Sequence, residues 1–137
     1  MGFISYNINN KKRDEDFIRI SSDKLGKKQI TGSFRITRFI DKDTNQKIHY
    51  IPALELTSYG DTNEKADEMM KQVLNNYFDF LCTLSTKMLR KELLGIGWKQ
   101  DLFKNKDYSK AYIDINGNLN EFNVEDLKIE NLDLQAA

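Results

Sequence analysis

The chain has 137 residues, of which 39% are hydrophobic and 31% are charged. This composition fits one folded domain of ordinary size, and no run of about 20 apolar residues is present to span a membrane. Lysine plus arginine and aspartate plus glutamate number 21 each, so no net positive field would attract the chain to nucleic acid. We therefore expect a single domain over residues 1–137, with nucleic acid unlikely as a partner and no membrane.

The N-terminus and the cysteine content indicate a compartment. Residues 1–16 place charges after a short apolar patch, whereas a secretory signal peptide has the opposite order. Cys82 is the only cysteine, so the chain cannot form an internal disulfide. We expect a cytoplasmic protein.

The N-terminal third alternates apolar and polar residues. Residues 1–28 form an N-terminal extension in which FISY and DFIRIS are typical of short strands. Residues 29–40 are rich in β-branched and aromatic residues and predict a strand. Residues 41–46 predict a turn, after which KIHYIPALELTS returns as the second strand of a hairpin. Pro52 cannot donate to a sheet ladder, so the hairpin is expected to bend there.

Helical spacing replaces this alternation after Gly60. Asp61 or Thr62 can cap the helix, and an Asp61 cap would place Glu64 at the third position of a capping box. The pattern predicts a helix from about 62 to 84. Its apolar stripe, expected to face the sheet, comprises Met69, Met70, Val73, Leu74, Tyr77, Phe80, Leu81, Leu84 and Met88.

A second, narrower apolar line runs along another side of the helical region, through Phe78, Cys82, Leu89 and Leu93. Two alternatives explain it: the C-terminal segment of the chain covers this line, or it is an interface with another subunit or partner. A second helix, capped by Ser85 or Thr86, is expected to end at the glycines of LLGIGW.

The C-terminal region, residues 110–137, predicts a hairpin followed by an acidic tail. KAYIDI reads as a strand, and Asn116 followed by Gly117 is a strong turn signal. The last residues, EDLKIENLDLQAA, predict a strand or a short helix that frays.

The sequence offers no catalytic constellation. His49 is the only histidine, which excludes a metal site built from several imidazoles and favours a structural or exposed role. Asp114, Asn116, Asn118 and Glu125 have the spacing of calcium-loop ligands, but Leu119 replaces the glycine that such a loop requires. We expect no catalytic residues, no bound cofactor and no metal.

The junction between the hairpin and the helix carries a family resemblance. Over residues 30–95, the hairpin followed by the helix resembles the HicB antitoxins, in which a strand with a proline and a leucine leads through a glycine and a threonine cap into a long helix. The matching positions are Pro52, Leu54, Gly60, Thr62, Glu64 and Ala66.

The resemblance implies an α+β fold, in which a small antiparallel sheet packs against one long amphipathic helix as in a partial ribonuclease-H-like domain. It also implies a non-enzymatic protein that binds and neutralises a small basic RNA-cleaving toxin of the HicA type. HicB proteins commonly form dimers, so the resemblance adds a possible homodimer. The resemblance does not identify which residues of this chain would contact a toxin.

Charge is unevenly distributed along the chain and leaves an alternative function open. Residues 11–47 hold eleven basic and six acidic residues, whereas residues 101–137 hold four basic and eight acidic residues. Phe17, Phe34 and Phe39 interleave with the basic residues, a pattern found in single-strand nucleic-acid binding. A third reading, ribonuclease-H-like hydrolysis, finds only Glu55 and Asp114 as strand carboxylates for magnesium.

Overall fold

The computed structural model describes residues 4–12, 15–22, 24–104, 106–111 and 124–136. These residues form an α+β structure in which two helices cover one face of a single antiparallel sheet. The elements are, in chain order, β1 (Ile4–Asn9), β2 (Glu15–Ser22), β3 (Lys28–Asp41), β4 (Lys47–Ile51), a short 3₁₀ helix (Pro52–Leu54), β5 (Leu56–Gly60), α1 (Asn63–Thr83), α2 (Thr86–Gly95), β6 (Lys99–Gln100), β7 (Asp107–Ala111) and β8 (Val124–Ala136).

Strand β3 is a central strand of the sheet, and the strand order is β1-β8-β3-β2-β7-β6. Strand β8 pairs with β3 from Ile30 to Asp41. The other edge of β3 is shared, because β2 pairs with its first half and β4 with its second half, and β5 pairs with β4. The β3–β8 register shifts between Arg38 and Ile40, as expected where a strand bends. The sheet is thus larger than the small sheet expected from the sequence.

The segment predicted as one returning strand is two strands. Strand β4 ends at Ile51, and Pro52 opens a single 3₁₀ turn that ends at Glu55 in a left-handed conformation, with φ of 56°. The chain then reverses, so that β5 pairs antiparallel with β4. The predicted bend at Pro52 is therefore a reversal of direction, since proline has a fixed φ and no amide hydrogen for the ladder.

The helices pack on the sheet through an arc of α1 that differs from the predicted stripe. Phe78 stacks on Phe34 with ring centroids 6.5 Å apart, and Trp98 meets Phe34 edge-on at 6.0 Å. Phe80 and Met88, which were predicted to face the sheet, are about half exposed. The residues of α1 that are buried are Ala66, Met70, Leu74, Asn75, Phe78 and Leu81. The second helix expected after α1 is α2, and Ser85, one of the two caps considered for it, accepts a hydrogen bond from the Met88 amide.

The C-terminal residues form an inner strand of the sheet. Residues 131–136 of β8 pair with β1 on one side and with β3 on the other, and Leu132 is fully buried. The strand alternative was thus correct, but the expectation that this segment frays was wrong, because pairing on both edges fixes its backbone. The predicted turn at Asn116 and Gly117 lies outside the described residues.

Candidate binding surface

The residues of the family resemblance meet where β5 enters α1. Thr62 caps the helix, because its hydroxyl oxygen accepts a hydrogen bond from the Lys65 amide at 3.2 Å. The Ser58 hydroxyl donates to the carbonyl oxygen of Ala66 at 2.8 Å. Gly60 leaves room for this contact, since a Cβ there would lie 2.7 Å from the Ala66 nitrogen. The cap is therefore Thr62, one of the two residues expected, and the junction holds the first turn of α1 against β5.

The other residues of the motif support the same joint. Pro52 and Leu54 are buried within the 3₁₀ turn. Glu64 lies in the first turn of α1, where an acidic side chain interacts favourably with the helix dipole. The motif is thus a structural joint with no reactive group among its buried members.

The second apolar line of the helices is buried inside the chain. Phe78, Leu89 and Leu93 belong to the main hydrophobic core and are at most 5% exposed. Cys82 is partly buried beside them, and burial raises the pKa of its thiol. This line therefore cannot serve as the exposed interface that was considered for it, and the possible homodimer loses the surface on which that expectation rested.

His49 is fully buried in a polar cluster formed by residues of four elements. Its Nδ1 lies 3.1 Å from Asp67 Oδ1, although the ring hydrogen is not aligned for a hydrogen bond. The Tyr6 hydroxyl donates to the same oxygen at 3.1 Å, and Arg38 Nε lies 3.4 Å from His49 Nε2. Asn63 Oδ1 lies 3.3 Å from the same Nε2, so Nε2 is close to both a donor and an acceptor, and the tautomer of the neutral imidazole decides which of the two contacts is a hydrogen bond.

This polar cluster is enclosed within the fold. Burial lowers the pKa of His49, which keeps the ring neutral. The imidazole has no exposed surface, so it cannot reach a substrate from solvent. Its role is to join β1, β3, β4 and α1 through polar contacts inside the fold.

A concavity of about 870 Å³ lies on the sheet face opposite the helices. We call this surface the open face. Strand alternation places it there: Ile18 and Ile20 point to the helices, whereas Phe17 and Arg19 point away from them. Thr31 and Ser33 of β3, and Asp133 and Gln135 of β8, also line it. An antiparallel sheet commonly leaves one face uncovered by helices in this way.

Carboxylates outnumber cations among the side chains that line the open face. The carboxylates are Glu15, Asp101, Asp107 and Asp133, and the cations are Arg19 and Lys104. Arg19 Nε lies 3.7 Å from Asp107 Oδ1 in a loose ion pair, in which Arg19 is exposed and Asp107 is partly buried. Lys11 lies 3.0 Å from Asp133 and adds a third cation, so four carboxylates face three cations and the net charge of the concavity is negative by about one unit.

Asp133 is the best-defined of these carboxylates. Its Oδ2 accepts from Asn9 at 2.9 Å and from Lys11 at 3.0 Å. Its Oδ1 accepts from Ser33 at 2.9 Å and from Asn131 at 3.0 Å. Burial acts to raise the pKa of Asp133, but these four donors outweigh burial and hold the pKa at about 2. The side chain is therefore ionised at neutral pH and fixed in orientation.

Phe17 is the aromatic side chain of the open face. It is 44% exposed, although it lies in the middle of a paired strand, with Ser33 of β3 on one side and Ser109 of β7 on the other. A large apolar side chain surrounded by small polar residues is a typical anchor for a binding partner.

The basic segment 11–47 does not form one aromatic and basic surface. Phe34 and Phe39 are buried, and only Phe17 of the three aromatic residues is exposed. Arg38 is paired with Glu130 at 2.9 Å, and Lys28 donates to the carbonyl oxygen of Leu84 at the end of α1. The aromatic and basic residues that alternate in the sequence are therefore divided between the core and separate surfaces.

The described residues contain no group of three or more potential metal ligands, and none of their helices is long and apolar enough to cross a membrane. Asp114, Asn116 and Asn118 of the calcium-like pattern lie outside the described residues. Asp114 is also one of the two carboxylates that were considered for magnesium-dependent hydrolysis. Comparisons with protein-family models, with curated proteins and with solved structures found no match to this chain.

Sequence reasoning did not single out the open face, although a signal for it is present. In DFIRIS, Phe17 and Arg19 alternate with two isoleucines, and in NLDLQ, Asp133 lies between two leucines. These patterns predict polar faces on both strands. Only the pairing of β3 with both β2 and β8 brings the two polar faces onto one surface.

Proposed function

We propose that this protein is a non-enzymatic, HicB-like antitoxin or derived inhibitor, and that its open face binds a small basic RNA-cleaving toxin. The observation that carries the proposal is the net negative concavity around the exposed Phe17. An inhibitor of a basic RNA-binding protein has to cover a positively charged surface, and a surface of opposite charge speeds and directs such an association.

The charge of the open face supports this role because it is permanent at neutral pH. The donors around Asp133 hold its pKa at about 2. Backbone hydrogen bonds from Phe103 and Lys104 lower the pKa of Asp101. Both carboxylates are therefore charged in the free protein. The hydrogen bonds to Asp133 also fix its orientation, so a partner that binds it loses less side-chain entropy.

The size of the concavity also suits a protein partner. Side chains from β1, β2, β3, β6, β7 and β8 border it, so a partner would contact a broad surface and not a narrow cleft. Phe17 supplies an apolar anchor near the centre, and the charged and amide side chains around it supply a polar surround, as in protein interfaces.

The joint between β5 and α1 supports the family part of the proposal. Gly60 lies against the Ala66 nitrogen, and that nitrogen donates to the Thr62 carbonyl oxygen at 3.1 Å, as a strand docked on the first turn of a helix requires. This joint positions the helix layer on one face of the sheet and leaves the other face for binding.

The test is affinity purification of the tagged protein from a nuclease-treated lysate of its native cells, with two variants in parallel. Phe17→Ser removes the anchor, and Tyr59→Ser changes a strand aromatic residue that is 56% exposed elsewhere on the sheet. We expect the wild type and Tyr59→Ser to retain a small basic protein at near-equal stoichiometry, and Phe17→Ser to lose it. The purified partner should cleave RNA, and the wild-type protein should block that cleavage.

A charge variant provides a kinetic check on the same partner. Glu15→Gln removes one exposed carboxylate of the open face. Its association rate and the salt dependence of that rate should fall, with little change in dissociation. Equal retention of the partner by Phe17→Ser, or a partner without RNA-cleaving activity, would contradict the proposal. Binding of labelled RNA or DNA that weakens steeply with salt would favour the nucleic-acid alternative.

A further inference from the structure

Three of the most exposed apolar side chains in the described structure occur in two turns at one end of the sheet. Leu25 is 94% exposed in the β2–β3 turn, and Leu102 and Phe103 are 92% and 95% exposed in the β6–β7 turn. We call the described residues of these turns, 24–27 and 101–104 with 106, the paired turns. Side chains of this size and exposure, next to one another in a turn, indicate an interaction surface.

The paired turns are neighbours because β2 and β7 are adjacent strands. The Ile20 amide near the end of β2 donates to the Lys106 carbonyl oxygen just before β7, at 2.9 Å. At the same end, Ser22 is opposite Lys28 in the β2–β3 ladder, and both residues line a small cavity together with Lys106. Both turns therefore lie at the same end of the sheet.

The second turn is held in shape by its own hydrogen bonds. Asp101 Oδ1 accepts from the amides of Phe103 and Lys104, both at 2.8 Å. The Asp101 amide donates to the Asp107 carbonyl oxygen at 2.9 Å, which closes the turn. The turn thus presents Leu102 and Phe103 to solvent from an ordered backbone.

Lysines flank each apolar tip. Lys24 and Lys27 lie on either side of Leu25, and Lys104 and Lys106 follow Phe103; all four are exposed. Asp101 is the one acidic residue among the described residues of the paired turns, and its side chain is occupied by the turn. With Asp23, which precedes Lys24 in the sequence, four lysines stand against two aspartates, so the tips combine apolar side chains with a local positive charge, although the whole chain is neutral.

We propose that the paired turns dock the protein onto an anionic lipid membrane surface. Leu25, Leu102 and Phe103 would enter the interfacial region, and the lysines would contact anionic headgroups. A bilayer fits these observations better than an acidic protein does. The apolar side chains stand at projecting tips and line no groove, and a fluid interface accepts projecting side chains without a complementary pocket. Asp101 and Lys104 of the second turn also line the open face, but Leu25, Leu102 and Phe103 do not, and membrane docking goes beyond the proposed toxin binding.

The experiment is flotation of the full chain with vesicles of phosphatidylcholine alone or of phosphatidylcholine with phosphatidylserine. We expect binding to the anionic vesicles only, and weaker binding as salt is raised. The apolar variant is Leu102→Ser with Phe103→Ser, and the charge variant is Lys24→Gln with Lys106→Gln. Lys104 is left unchanged because it also lines the open face.

Each variant has a stated outcome. Each lysine near an anionic surface contributes a factor of about five in partitioning, so the charge variant should bind roughly tenfold or more weakly. The apolar variant should lose binding to a similar extent. A matched control, Phe80→Ser, changes an apolar side chain that is 48% exposed on α1 and should bind as the wild type does.

The variants should fold normally, because the apolar side chains that they replace are more than 90% exposed; thermal unfolding checks this. Equal vesicle binding by the wild type and both variants would overturn the proposal. Absence of binding to anionic vesicles would also overturn it and would point to an acidic protein surface as the partner of the paired turns. The apolar variant should still retain the toxin. Loss of vesicle binding with the toxin retained would therefore concern the paired turns alone, and loss of the toxin would concern the proposed function.

Discussion

Gly60 and Ala66 are in direct contact where β5 enters α1: a Cβ at position 60 would lie 2.7 Å from the Ala66 nitrogen and 2.8 Å from Lys65 Cβ. The glycine is thus required by close approach and not by an unusual backbone angle. The first prediction follows from this contact.

We expect Gly60→Ala to lower the free energy of unfolding by about 1 to 3 kcal/mol, because the added methyl group overlaps backbone atoms that cannot move independently of the helix. Urea denaturation measures this. Gly95→Ala is the matched control, since a Cβ at that helical position meets nothing within 4 Å and should be neutral or stabilising. An unchanged urea midpoint for Gly60→Ala would contradict the role of this joint.

A second glycine makes room for an aromatic ring. Gly32 and Phe34 share one face of β3, and a Cβ at position 32 would lie 2.3 Å from Phe34 Cζ. We expect Gly32→Ala to destabilise the fold by about 1 to 3 kcal/mol. In the Phe34→Leu background the same change should cost less, because the ring atoms that it meets are gone. A double-mutant cycle measures this coupling, and additive effects would exclude it.

Asp16 predicts one component of the pH dependence of stability. Burial raises the pKa of Asp16 from 3.8 to about 6, although its Oδ1 accepts from the Arg35 amide at 2.7 Å. The folded state therefore favours the protonated acid. This contribution to stability is complete below the unfolded pKa and is lost as pH rises through about 6.

Asp16→Asn should remove this component, because asparagine keeps an acceptor for Arg35 but does not titrate. Relative to the variant, the wild type should lose free energy of unfolding as pH rises from about 4 to about 6. Urea midpoints of both proteins across this range measure the difference. A constant difference across the range would show that the pKa of Asp16 is not raised.

His49 predicts a second contribution to the pH dependence of stability, opposite in sign to that of Asp16. Burial lowers the pKa of His49 below 6.5 in the folded state, so the unfolded chain binds the proton more readily. The Asp67 carboxylate acts against this shift and Arg38 acts with it. Stability is therefore retained above the unfolded pKa of about 6.5 and declines as pH falls below it.

His49→Gln should reduce this decline, since the chain has no other histidine to titrate in the range. The comparison is made in the Asp16→Asn background, which removes the opposing component. The urea midpoint should fall between about pH 7 and pH 5.5 when His49 is present, and it should change less in the His49→Gln protein, which has no titrating ring. An equal decline in both proteins would assign the pH dependence to other groups.

Local patterns were sufficient for most elements of the fold. The β3 strand, the β3–β4 turn and the two helices with their Thr62 and Ser85 caps are formed close to the predicted boundaries. These features depend on residues near one another in sequence: β-branched and aromatic runs, turn-forming side chains, capping hydroxyls and helical periodicity. The sequence predicted a bend at Pro52 within one strand but not the reversal of direction, because the reversal depends on the pairing of β5 with β4.

The remaining features of the fold depend on contacts between residues that are distant in sequence. Phe78, Leu89 and Leu93 could be read as an interface in the sequence, and only packing against the sheet places them in the core. The C-terminal segment was expected to fray, and insertion between β1 and β3 makes it an inner strand. The α+β class, the helix starts and the joint at Gly60 could be predicted from residues that are close together in the chain. Hydrogen-bond pairing between distant strands places Phe17 and Asp133 on one open face, and Leu25 and Phe103 at one end of the sheet, and no local pattern contains that pairing.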